Sequence, residues 1–213
     1  MCGILGITEK NEGLVRDAAR TFAYRGPDAS AVLSGDEVTL GHNRLSIIDL
    51  DPRANQPMKD AGDTHRIIFN GEIYNYKELK RELASDYPFT TESDTEVLLA
   101  AYRTWGSDMT RHLRGMYAFA IHDRRAGKLV LATDYSGMKP IFYTCINKTF
   151  AFASELKGIL AMIREKGIMP EVDRDSLDLY WALGYVPAPR TIYKGLYRMP
   201  RRTLLTIDVS SGE

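Results

Sequence analysis

Cys2 directly follows Met1, and no other position concentrates as much chemistry in one residue. Excision of Met1 leaves a thiol and a free α-amino group on the same residue. The thiolate is a strong nucleophile, and an amine with a pKa of about 8 can take the thiol proton near neutrality. Acyl transfer needs both groups, and the residues downstream decide whether this cysteine is a nucleophile or an ordinary first-strand residue. The only other cysteine is Cys145, so the chain encodes neither a disulfide framework nor a spaced metal site. His65, His112 and His122 show no ligand spacing, and no metal is expected. His42 lies near Arg44, where it could shape a pocket.

The elements that must position these residues read as a mixed chain. CGILGIT over 2–8 predicts a short buried strand. Leu14, Ala18, Ala19 and Phe22 share a face of a helix over 12–23, stopped by Arg25-Gly26-Pro27-Asp28. Segment 31–40 alternates as a strand, 42–50 is apolar but carries His42, Arg44 and Asp49, and 51–64 reads as a loop. A strand resumes at 65–69 and ends at Asn70-Gly71, a common turn pair. Leu79 and Leu83 mark a helix over 75–85. Ser93 and Glu96 form a capping box for a helix over 93–106, with a stripe of Val97, Leu98, Ala101, Tyr102 and Trp105. Strands are predicted at 116–123, 128–134, 140–144 and 149–153, with Gly127 and Asn147 in turns. Helices follow at 154–165 and 174–184, then a connector or docking strand at 184–190 and an edge strand at 203–208. Trp105 and Trp181 are both expected in the core. Antiparallel strands with helices grouped between strand sets favour a layered α+β fold over a doubly wound sheet.

Composition excludes several functions. At 213 residues and 44% hydrophobic, the chain can bury a substantial core. Its 28 basic and 28 acidic residues cancel, so there is no general footprint for nucleic acid. No apolar run approaches the roughly 18 residues of a membrane span, and no targeting segment is visible. A cytoplasmic location is the default, and a reducing compartment would preserve the Cys2 thiol. Neither a phosphate-binding GxxxxGK[ST] loop nor a dinucleotide fingerprint is present.

A series of short motifs, in order and over nearly the whole chain, carries a family likeness. These are MCGI, RGPD at 25–28, RLSIIDL at 44–50, QP at 56–57 and FNGEIYNY at 69–76. SDTEVLL at 93–99, GMYAFAIHD at 115–123, GMKP at 137–140 and FASELK at 152–157 complete the series. With them the chain resembles the class II glutamine amidotransferase domain, an N-terminal nucleophile hydrolase. The nearest likeness is to the glutaminase domain of glutamine-hydrolysing asparagine synthetases, and similar domains serve surface-polysaccharide pathways. The pattern departs at Thr133 and Tyr135, where the family tends to carry arginine, and at Arg201 and Arg202, which replace a more usual Pro-Gly turn.

The resemblance implies a four-layer αββα sandwich of antiparallel sheets over 2–213, with 184–213 a connector or edge segment toward a synthetase domain. It assigns Cys2 as nucleophile, with the Asn70 side chain and the Gly71 N–H as oxyanion donors. Arg44 is implied as a paired clamp for the glutamine α-carboxylate, with Leu45, Ser46, Ile47 and Ile48 beside it. Glu72 and Asp94 are implied near the substrate ammonium. Arg25, Gly26, Pro27 and Asp28 are expected to shape a loop close to the catalytic strand. No cofactor is implied for this domain, whereas ATP and Mg are expected for the synthetase domain. The expected partners are glutamine and that synthetase domain, attached or separate, and a homo-oligomer is possible. Ammonia supply to a polysaccharide-biosynthetic enzyme, and a non-catalytic glutamine-responsive docking domain, stand as alternatives.

Overall fold

Strand alternation sorts the apolar residues into three core layers. In the computed structural model, which describes residues 1–212, β1 (Gly3–Ile7) turns Ile4 to one side and Leu5 and Ile7 to the other. β5 (His65–Ile73) and β6 (Gly115–Asp123) behave alike. Ile68, Ala118 and Ala120 join Ile4 in one layer, while Ile67, Phe69, Phe119 and Ile121 face the opposite way.

The remaining strands are β2 (Ala29–Ser34), β3 (Thr39–Arg44), β4 (Met58–Lys59), β7 (Lys128–Thr133) and β8 (Phe142–Ile146). β9 (Thr149–Ala153), β10 (Tyr197–Arg198) and β11 (Leu204–Asp208) complete them. One sheet runs β10-β8-β9-β1-β3-β2 and the other β11-β7-β6-β5-β4, with antiparallel pairing throughout. Ile4, Leu40, Ile68, Leu131 and Phe152 fill the space between the sheets. α1 (Glu12–Arg20) and α4 (Leu156–Glu165) cover the first sheet through Val15, Ala18, Ile159 and Met162. α2 (Tyr76–Leu83) and α3 (Asp94–Trp105) cover the second through Leu79, Leu83, Val97 and Leu98. The fold is the expected αββα sandwich.

Several elements differ from the sequence reading. The strand expected over 31–40 is a hairpin, because residues 35–38 turn the chain from β2 into β3. Asn70-Gly71 does not end a strand: β5 continues to Ile73, paired with β6 through Gly71↔Tyr117 and Glu72↔Met116. Ser93 caps α3 by accepting from Thr95 N at 3.1 Å, but the Glu96 carboxylate takes the Thr90 and Thr91 N–H groups instead of closing the box. α3 is buried on all sides from Asp94 to Tyr102, so no single stripe describes it. Trp181, expected in the core, is 77% exposed on α5 (Arg174–Leu183). Helical spacing marks a face but does not say what covers it. Among the described residues, no helix is long and apolar enough to cross a membrane.

Candidate active site

The same alternation that builds the inter-sheet core aims the chemistry at one end of it. Cys2 lies two residues before Ile4, Asn70 two after Ile68, and Met116 two before Ala118, so all three point between the sheets. There they line a cavity of about 100 Å³ with Arg44, Glu72, Asp94 and Lys139. Met1 lines it too and is 54% exposed, open to removal.

Cys2 is held by the loop after β3. Leu45 N lies 3.4 Å from Cys2 Sγ, and the thiol sits 3.6 Å from the Leu45 carbonyl. Burial pushes the thiol pKa up, opposed by the Leu45 N–H and by the positive charges of the N-terminus and Arg44. The RGPD segment is the brace behind this arrangement. Arg25 Nε donates to the Cys2 carbonyl at 2.9 Å, and its Nη1 reaches Glu155 at 3.2 Å. Gly26 is compulsory: a Cβ there would lie 2.3 Å from the Asn43 carbonyl. Asp28 donates its N–H to the Arg44 carbonyl at 3.0 Å and accepts the Ser46 N–H on its carboxylate at 2.7 Å. Pro27 is exposed. One short loop therefore fixes both the strand that follows Cys2 and the 45–46 turn.

Asn70 is 1% exposed, and its Nδ2 has no hydrogen-bond partner among the described residues. A buried amide donor without an acceptor costs about 1–3 kcal/mol, so it is rarely left that way unless a ligand supplies the acceptor. Gly71 follows because β6 passes too close for any side chain: a Cβ would stand 2.2 Å from the Met116 oxygen.

Arg44 is buried, and its terminal nitrogens engage the following loop. Nη1 reaches the Asp51 carbonyl at 3.3 Å and Asn55 Oδ1 at 2.6 Å, and Nη2 reaches the Ile48 carbonyl at 3.5 Å and the Asp49 carbonyl. The guanidinium thus shapes the loop carrying Leu45, Ile47 and Ile48 along the cavity. Ser46 itself lies off the cavity wall. Asp94, 4% exposed, accepts the Ile73 N–H at 3.1 Å. Burial first, and the Glu72 charge after it, push its pKa up to about 6. A cation between Glu72 and Asp94 would relieve that.

His42 stands outside the cavity. Its Nε2 donates across the inter-sheet space to the Phe69 carbonyl at 3.1 Å, Nδ1 is unpartnered, and burial pushes its pKa down to about 4, so the ring is neutral. Gln56 and Lys139 are among the wall residues absent from the expected set. Gln56 accepts from Phe69 N at 2.6 Å and donates to Thr95 at 3.0 Å, bracing the strand that carries Asn70. Lys139 enters from the loop that Asp134 organises by accepting the N–H groups of Ser136, Met138 and Lys139. Both lie inside quoted motifs, QP and GMKP, which was the available signal. The 133–135 and 200–203 segments, which carry the departures from the family pattern, meet one another. Thr133 bonds Pro200 O at 2.7 Å and accepts from Thr203 N at 3.3 Å, and Arg202 stacks 5.3 Å from the Tyr135 ring. Among the described residues, no three His, Cys, Asp or Glu side chains gather as a metal site.

The sequence profile of the glutamine amidotransferase domain matches residues 1–212. The chain is 41% identical over 201 residues to asparagine synthetase [glutamine-hydrolyzing] 1 of Bacillus subtilis, covering 90% of this chain and 31% of that protein. It is also 41% identical over 218 residues to asparagine synthetase [glutamine-hydrolyzing] 3 of the same organism, covering 98% of this chain and 35% of that protein. The chain therefore spans about a third of the length of these relatives. Glutamine phosphoribosylpyrophosphate amidotransferase of B. subtilis shares the fold, with a TM-score of 0.65 at 20% identity over 76% of this chain and 43% of that one. With the fold, the cavity and the full-length match in agreement, the chain belongs to the class II glutamine amidotransferase domain family and is related to the glutaminase half of asparagine-synthetase-like enzymes.

Proposed function

We propose that the chain, freed of Met1, hydrolyses the side-chain amide of glutamine through a Cys2 thioester. The observation that carries this reading is the unpartnered Nδ2 of Asn70, buried in the cavity that also holds Cys2. The Cys2 amine takes the thiol proton, and sulfur attacks the amide carbon. The carbonyl oxygen becomes an oxyanion that accepts from Asn70 Nδ2 and the Gly71 N–H. The C–N bond then breaks, the amine returns its proton to nitrogen, and ammonia leaves. Water adds to the thioester, the C–S bond breaks, and glutamate departs from the restored thiol.

Substrate selection follows from charge. Arg44 would take the α-carboxylate by exchanging loop carbonyls for carboxylate oxygens, which couples binding to loop order. Glu72 and Asp94 would receive the ammonium. The domain spans 2–213. Its 184–213 segment leads toward an ATP-dependent synthetase domain, for which the relatives' names suggest asparagine formation from the released ammonia. The exposed aromatics of α5, Tyr180 at 47% and Trp181 at 77%, support a covered face there. A reducing cytoplasm suits the free thiols of Cys2 and Cys145.

Glutamate release from glutamine tests this reading, with Cys2→Ala in parallel and loss of Met1 confirmed by intact mass. Cys2-dependent release is expected. No release by the processed protein, alone or joined to a synthetase partner, would overturn it in favour of a binding-only domain.

A further inference from the structure

Lys139 is 6% exposed and lines the cavity. Among the described residues, the one partner of the Lys139 ammonium is Met1 Sδ at 3.0 Å. Thioether sulfur is a weak acceptor, and this one belongs to the residue whose removal creates the nucleophile. Maturation therefore leaves a buried cation unpartnered beside the newly exposed amine. Five bonds separate Met1 Sδ from Cys2 N, so covalent geometry keeps Lys139 Nζ within about 9 Å of the nitrogen that becomes the amine.

Building on the glutaminase reading, we infer that Lys139 is a positioning residue of the reaction, whose charge keeps the mature Cys2 amine unprotonated and able to accept the thiol proton. A cation disfavours a second cation nearby and favours a thiolate, so it advances both halves of the transfer from sulfur to nitrogen. The proton moves from sulfur to nitrogen, and Lys139 keeps its own. Arg25 lies beside Lys139 but pairs with Glu155 and the Cys2 carbonyl. Arg44 is engaged by its loop through Asn55 and the Asp51 carbonyl. The Asp134 carboxylate is held by backbone N–H groups. Glu72 and Asp94 oppose Lys139 in the empty cavity, but they are the groups a substrate ammonium would neutralise. His42 is neutral. Lys139 is thus the cation beside Cys2 that is not already committed to another anion or carbonyl. At about 9 Å and an effective dielectric near 20, a unit charge moves a neighbouring pKa by about one unit.

The experiment compares wild type, Lys139→Met and Lys139→Arg, each with Met1 removal verified by intact mass. Two readouts are taken: the pH dependence of kcat/KM for glutamine, and trace acetylation of the Cys2 amine across pH by mass spectrometry. In Lys139→Met the acidic limb and the amine pKa should both rise by about one pH unit. That lowers the rate about tenfold near pH 6 and little above pH 9. Lys139→Arg should restore the wild-type profile. A purely structural lysine would lower the rate equally at every pH and leave the amine pKa alone, and that result overturns the inference. The acetylation arm needs no turnover, so an inactive wild type would count against the glutaminase reading while the Lys139 effect on the amine remained measurable.

Discussion

Replacing Asn70 by alanine separates catalysis from folding in a way the structure makes quantitative. The side chain is 1% exposed, and its Nδ2 has no partner to lose. Truncation removes some packing but relieves the cost of an unsatisfied buried donor, about 1–3 kcal/mol. The two effects oppose each other, so folding stability should stay within about 1 kcal/mol of wild type. In the proposed mechanism the same donor faces a full oxyanion in the transition state, where one such hydrogen bond contributes about 2.7–4 kcal/mol. Asn70→Ala should therefore lower kcat about 10²–10³-fold with little change in KM. Glutamate release measured by a coupled dehydrogenase gives the rate, and urea unfolding gives the stability. A kcat within about threefold of wild type would refute the oxyanion role. A loss of several kcal/mol of stability would refute the claim that the donor is idle in the resting fold.

Three further outcomes follow from individual residues. Asp94 has a folded pKa of about 6, above the ordinary 3.8, so the folded state binds a proton more tightly and its stability falls as pH rises from about 4 to about 6. Asp94→Asn should remove that slope, gain up to about 3 kcal/mol in urea unfolding at pH 7, and raise KM for glutamine; an unchanged slope would reassign the titration. His122 is 2% exposed, both ring nitrogens are unpartnered, and burial pushes its pKa down to about 4, so its contribution to stability is lost as pH falls from about 6.5 toward 4. His122→Leu should be more stable by about 1–2 kcal/mol near neutrality and less sensitive to acid, as thermal melts at pH 5 and 7.5 would report. Gly71→Ala places a methyl 2.2 Å from the Met116 oxygen, so it should destabilise by at least about 2 kcal/mol and abolish turnover, whereas a well-folded, active variant would show that β5 and β6 can separate there.

The composition of the site was legible because it is written in local motifs. Cys2, Asn70, Gly71 and Asp94 stand in stretches whose order along the chain identifies the family, whereas the inter-sheet placement of Cys2 and Asn70 came only with the strand register. The helices α1 and α2 were legible for a similar reason: an apolar face at helical spacing is local. The turn pair Asn70-Gly71 misled because the same two residues suit a tight turn and a strand that needs an idle donor next to a missing side chain. Trp181 misled because periodicity identifies an apolar face whether or not anything packs on it.

The sequence by itself determined which functional groups exist, the alternation that lets each strand face two layers, and the family. Only the tertiary structure decided how they meet. Arg25 supports the Cys2 carbonyl across 23 residues, Asp28 ties down Ser46, and Arg44 holds its own loop. Lys139 reaches the N-terminus from 138 residues away. Apart from the Arg44 loop, these contacts join residues 18 to 138 apart, and they depend on strand register and on the packing of one sheet against the other. No local rule of spacing records that packing, because which donors find partners, and which one is left without, is settled only when distant strands close around the same cavity.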